Sequence, residues 1–147
     1  MSMISTGIGA GERRYISGNE ESFISQSFVL PSGVSQISFD YNMISEEPME
    51  FVGSRYDDSF EVLLVVDDNE TIVLESNSVN SAVWRSISGV NFTGGDNSVY
   101  HTGWNHCEFD VSQYEDQSVR LYFVVSDIGD SAYDTAVLID NVYITVS

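Results

Sequence analysis

Apolar side chains recur at every second position along most of this chain, and no window carries the 3.6-residue period of an amphipathic helix. Ile37, Phe39 and Tyr41 share one face, with Ser38, Asp40 and Asn42 on the other. Phe60, Val62, Leu64 and Val66 make a second row, with Glu61 facing outward. Thr71–Leu74 follows as its hairpin partner across Asp67-Asp68-Asn69-Glu70. Val83–Ile87 and Cys107–Val111 read as short strands, and a turn is expected over Ser112–Gln117. Val119, Leu121, Phe123 and Val125 alternate with Arg120 and Tyr122. The closing rows are Ala136–Ile139 and Val142, Ile144 and Val146. The parity slip between them predicts a bulge or a metal-induced kink at Asp140-Asn141. Strands at intervals of about ten residues, separated by Gly, Ser, Asn and Asp, predict an all-β antiparallel sandwich. At 147 residues this is one domain over 1–147. Residues 1–20 are expected to be an edge strand or a partly ordered arm, and Ser88–Thr102 is the longest irregular stretch.

The charge is one-sided. Twenty-three acids stand against five basic residues, all Arg, for a net charge of −18. Such a chain repels nucleic acid and anionic membranes. Crowded carboxylates also repel one another, and bound divalent cations relieve that. The lone Cys107 excludes an internal disulfide and reads as a small buried residue. Met1–Ala10 does not read as a signal peptide, and no apolar run approaches a membrane span.

The acids cluster in two stretches. One runs Ser126-Asp127-Ile128-Gly129-Asp130-Ser131-Ala132-Tyr133-Asp134 and on to Asp140; the other includes Glu46, Glu47, Asp57 and Asp58. Loop carboxylates at short spacing are what a hard, oxygen-seeking cation such as Ca²⁺ needs. The expectation is that the two loops meet around calcium, with Glu46, Glu47, Asp57, Asp58, Asp127, Asp130, Asp134 and Asp140 as ligands. Neither stretch fits the EF-hand spacing. Pro48 favours a turn that lets the adjacent Glu46 and Glu47 enter one site. Asp140 breaks an apolar row, a costly place for an unpaired charge. Solvated acidic loops are the plainer alternative for each stretch.

Arg55, Tyr56, Trp84, Tyr100, His101 and Tyr133 are the candidates for ligand contact, with Tyr100-His101 preferred because it falls in the irregular stretch. Arg55 suits an anionic group such as a terminal carboxylate. Trp104 is expected to plug the sandwich edge. The two histidines, spaced His101-x₄-His106, suggest a transition-metal site only as a pair without a third ligand. No G-x-S-x-G, H-E-x-x-H or phosphate-cradling loop occurs, so a binding module is expected in preference to an enzyme.

Two segments also carry a resemblance. Phe39-Asp40-Tyr41-Asn42-Met43-Ile44-Ser45-Glu46-Glu47 followed by Glu50-Phe51-Val52-Gly53-Ser54-Arg55-Tyr56-Asp57-Asp58-Ser59-Phe60 resembles the signature of choice-of-anchor L-type domains and related modules of large bacterial surface adhesins. Gly103-Trp104, Tyr114, Leu121–Asp130 and Tyr133–Val142 resemble the closing half of the same modules and of jelly-roll carbohydrate-binding domains. The chain departs from the pattern at Pro48-Met49, and it has Asp57 where Asn is common. The resemblance implies an extracellular, cell-surface or secreted jelly-roll-like sandwich. It would be a monomeric module of a larger adhesin, binding calcium together with a peptide (by its free C-terminus) or a glycan. A spacer within the adhesin is the third possibility.

Overall fold

The computed structural model describes residues 2–5, 20–45, 58–78, 85–87, 99–127 and 135–147. Among them are ten strands: β1 (Ser2–Ser5), β2 (Glu20–Val29), β3 (Val34–Ser45), β4 (Ser59–Val66), β5 (Glu70–Ser78), β6 (Arg85–Ile87), β7 (Val99–His101), β8 (Asn105–Asp110), β9 (Ser118–Asp127) and β10 (Thr135–Val146). One 3-10 turn, Ser112–Tyr114, precedes β9. The strands form two antiparallel sheets. One has the order β1-β10-β3-β7-β6, with β8 also pairing β3; the other has the order β2-β9-β4-β5. The chain is therefore an all-β sandwich.

The alternation read from the sequence is what packs the sheets. Ile37, Phe39, Tyr41 and Met43 of β3 are buried against Phe60, Val62 and Leu64 of β4 and Val119, Leu121, Phe123 and Val125 of β9. Aromatic pairs cross the interface. Phe39 meets Phe123 edge-on at 5.4 Å, and Tyr41 meets Phe60 at 4.8 Å. Truncating Phe39 or Phe60, both 0% exposed, to Ala costs about 3–5 kcal/mol through lost burial and the cavity left behind.

Turns and bulges set the register. Asp67 and Asp68 have φ of 52° and 56°, and the Asn69 N–H donates to the Val66 carbonyl at 3.0 Å, the φ signs of a type I′ hairpin turn. β10 is one 12-residue strand rather than two pieces. Its register against β3 shifts between Asp140 and Tyr143, so Ile139 opposite Tyr41 and Ile144 opposite Ile37 both face inward. Asn141 sits in the bulge with φ 53°. Its N–H donates to Asp140 Oδ1 at 2.9 Å and its amide to Asp40 Oδ2 at 2.7 Å. The protein's own polar groups hold this bulge. A second bulge, at Leu74, turns Glu75 inward opposite Val62.

Three expectations change. β2 went unforeseen. Part of the Ser88–Thr102 stretch is strand: β7 pairs β3. Trp104 does not plug the sandwich edge; it is 52% exposed. It follows Gly103, whose φ of 76° turns the chain between β7 and β8 and leaves the indole outside.

The two ends of the sandwich differ. At one end short turns close on themselves. The Val34 N–H donates to the Pro31 carbonyl, the Ser147 N–H to the Gly33 carbonyl, and the Gly33 N–H to Glu115 Oε2 at 2.9 Å. At the other end lie Ser5, Glu20, Ser45, Asp58, Ser78, Asp127 and Thr135.

Candidate functional site

Of the residues singled out by the sequence, Asp58, Tyr100, His101 and the backbone of Asp127 lie at that second end, the rim. Ser45, the last residue of β3, is paired directly with Thr135, the first residue of β10. On the other side of β3, Ser45 pairs Tyr100 and Ile44 pairs His101. Arg85 of β6 lies opposite His101. In the second sheet the outermost rung of β4 and β9 is Ser59 opposite Ser126, and Glu20 pairs Asp127. Asp58 and Asp127 are the residues one step beyond the Ser59–Ser126 rung.

A buried relay joins the sheets here. The Thr135 hydroxyl donates to Asp58 Oδ2 at 2.7 Å, and Ser45 Oγ lies 3.0 Å from Thr135 Oγ1. Because Thr135 has a single hydroxyl proton and gives it to the carboxylate, Ser45 is the donor to Thr135. All three residues are buried, Asp58 at 1% exposure. A carboxylate there is tolerable only because it is hydrogen-bonded. Asp58 is thus an anchored carboxylate at the root of the rim.

The remaining candidates divide clearly. Tyr100 and His101 are brought to the rim, and the backbone of Asp127 ends there. Glu46, Glu47, Arg55, Tyr56, Asp57, Trp84, Asp130, Tyr133 and Asp134 lie outside the described residues. Asp140 stands apart: five residues down β10 from Thr135, it is roughly 16 Å from the rim at a strand rise of about 3.3 Å. It pairs with Asp40. Among the described residues no three His, Cys, Asp or Glu side chains form a metal-holding group. Next to the rim, Asn42 Oδ1 and His101 Nδ1 are buried with no hydrogen-bond partner among the described residues. Both residues lie on the face of β3 and β7 away from the core, because His101 is opposite Ile44, two residues along from Asn42. Unmade hydrogen bonds of this kind are uncommon and cost stability.

The two histidines do not form a joint site. They pair β3 at Ile44 and Asp40, four residues or roughly 13 Å apart along the strand. His106 belongs to an exposed polar cluster that sequence reasoning missed. Its Nδ1 lies 2.5 Å from Asp40 Oδ1 and its Nε2 3.0 Å from Glu108 Oε1. Hydrogen bonds to Asp40 and then Glu108 raise its pKa above the ordinary imidazole value. Asp40 is held below the ordinary carboxylate value, first by the Asn141 amide and then by His106. The available signal was the His106-x-Glu108 spacing, which places both side chains on one strand face.

A further cluster closes the side of the sandwich near β5. Asn77 Nδ2 donates to the Tyr41 hydroxyl at 3.0 Å, and the Cys107 thiol donates to Glu75 Oε2 at 3.1 Å. Burial pushes the Tyr41 phenol and the Cys107 thiol each up to about 12, with the Glu75 carboxylate adding to the thiol's shift. Cys107, 8% exposed, is packed, and its raised pKa disfavours the thiolate. In comparisons with known proteins, no family model and no curated protein matches the chain.

Proposed function

We propose that the rim is a calcium-dependent ligand-binding surface, and that the chain is an extracellular binding module of a bacterial adhesin type. The observation that carries this reading is the Ser45–Thr135 rung. The acid-rich segments 46–57 and 128–134 leave from adjacent residues of neighbouring strands, and Asp58, where the first segment re-enters the sandwich, is hydrogen-bonded to Thr135, where the second does. Glu46, Glu47, Asp57, Asp130 and Asp134 then belong to segments with a common root. Their oxygens are the hard donors Ca²⁺ takes, and in a chain of net charge −18 a divalent ion also relieves like-charge repulsion. Bound calcium supplies a fixed positive centre for ligand oxygens. Tyr100 and His101 supply polar and aromatic contacts beside it. The favoured ligand is a peptide engaged through its terminal carboxylate, with Arg55 as the cationic partner. A glycan is the second reading, favoured by the exposed Trp104 indole, whose face suits a sugar ring.

Thermal melting with EDTA and then with CaCl₂ tests the metal. Calcium raises the transition, because an ion bound only by the folded state stabilises it by mass action. Asp130→Asn combined with Asp134→Asn removes that rise while leaving the EDTA melt in place. An identical transition in both buffers would reject the reading. Binding to a peptide library that disappears on C-terminal amidation separates the peptide reading from glycan-array binding competed by free monosaccharide.

A further inference from the structure

Among the described residues, the side of the sandwich between β2 and β10 is open: β2 is an edge of its sheet, and β10 is bordered on its outer side by β1 along Ala136–Ile139 alone. Among the described residues, no strand adjoins 141–146 on that side. A groove of about 640 Å³ runs between the two edges, with Ile24, Phe28 and Val29 on one wall and Val142 and Ile144 on the other. Ile144 is opposite the fully buried Ile37 and so faces the core, yet it is 39% exposed. Val29 at 59%, Val142 at 44% and Val146 at 53% are exposed around it. An inward apolar side chain left this open lacks a neighbour, and the gap follows the line of a strand.

The edge also lacks the usual protection. Proteins blunt free strand edges with lysine, proline or inward charge. Residues 141–147, Asn-Val-Tyr-Ile-Thr-Val-Ser, carry no charge and no proline. They are rich in the β-branched and aromatic residues that favour strand pairing.

We propose that residues 141–146 of β10 are a β-augmentation site for an extended peptide of a partner protein. The peptide continues the line of β1, antiparallel to β10. Alternate apolar side chains fill the groove, and basic residues flank them. Continuity with the β1–β10 ladder fixes the direction, since Ser2 opposite Ile139 is the last existing rung on that side. Charge fixes the chemistry. The apolar walls end at Asp140 on one side. At the other end Glu115 binds the Gly33 N–H while the Ser147 N–H binds the Gly33 carbonyl, and the Asp116 N–H binds the Leu30 carbonyl next to Val29. The middle therefore selects uncharged residues and the ends select cations. A second copy of the chain is disfavoured because each carries −18.

The test uses the full chain in EDTA, so that it stands apart from the calcium reading. The probe is a fluorescein-labelled octapeptide, Arg-Val-Ser-Val-Ser-Val-Ser-Arg. The expected result is saturable binding by anisotropy, with amide shifts in NMR spectra concentrated on 141–146 and β2. Ile144→Lys and Val142→Lys each weaken it by about ten-fold or more, as does Glu in place of the flanking Arg. N-methylation of alternate peptide amides, which removes the ladder hydrogen bonds without touching the protein, abolishes it. The proposal is overturned by an absence of saturable binding, by equal binding of the N-methylated peptide, or by shifts that map elsewhere. Light scattering that shows this edge closed by a stable dimer overturns it too.

Discussion

Thr135 gives its hydroxyl proton to Asp58 over 2.7 Å, from the first residue of β10 in one sheet to the residue preceding β4 in the other. This bond spans the sandwich where both acid-rich segments are rooted, so its removal acts on stability and on the rim together. Thr135→Val keeps the shape but leaves a carboxylate 1% exposed without that donor, at an expected cost of about 2–3 kcal/mol. Thr135→Ser keeps the hydroxyl and costs less than about 1.5 kcal/mol. Urea unfolding of the two variants measures the difference, and equal losses would show that the hydroxyl contributes nothing.

The His106 cluster predicts a pH dependence of definite sign. The folded-state pKa of His106 is raised, so its contribution is complete below the unfolded imidazole value of about 6.5. The contribution is lost as pH rises from there through the folded value. Asp40, with a lowered pKa, contributes above the unfolded carboxylate value of about 3.9, and that part is lost as pH falls through its folded value. His106→Gln therefore flattens the change in melting temperature between about pH 6 and 8. Ring-proton NMR titration of His106 gives the direction directly; a midpoint below the ordinary value contradicts the geometry.

Cys107 is expected to resist labelling. With the thiol pushed up to about 12 and 8% exposed, little thiolate exists at pH 8 and a reagent has no approach. Iodoacetamide modifies it only on unfolding, so mass spectrometry of the labelled protein against urea concentration follows the global transition. Rapid labelling of the native chain would place Cys107 outside the core.

The β4–β5 turn is suboptimal. Asp67 and Asp68 both hold positive φ, and only glycine does so without a Cβ penalty. Asp68→Gly is expected to stabilise the chain by roughly 0.5–1 kcal/mol, read by thermal or urea unfolding. A loss of stability would mean that the Asp68 side chain makes a compensating contact.

The rows Ile37-Phe39-Tyr41, Phe60-Val62-Leu64-Val66 and Val119-Leu121-Phe123-Val125 were legible because period two survives wherever a strand buries one face only, and all of these residues are core. β2 was not. Its inward set mixes Ser22, Ile24, Gln26 and Phe28, while Phe23 and Val29 point out, each at 59% exposure. A strand facing a groove need not alternate cleanly. The burial of Asp58 was equally hidden, since it depends on two hydroxyls that lie 13 and 77 residues away in sequence and arrive only through strand register. Trp104 misled because a single aromatic has no period, and the Gly103 turn decided its direction.

Because Ser45 and Thr135 share a rung, the spacing between the roots of 46–57 and 128–134 is set by the sheet and not by either segment. Grafts of different length or composition at those two places would leave the interlocked β-ladders beneath them unchanged. The molecule is in this sense a scaffold with one end free to diversify, and relatives would be expected to vary most there and least around Phe39, Phe60 and Phe123.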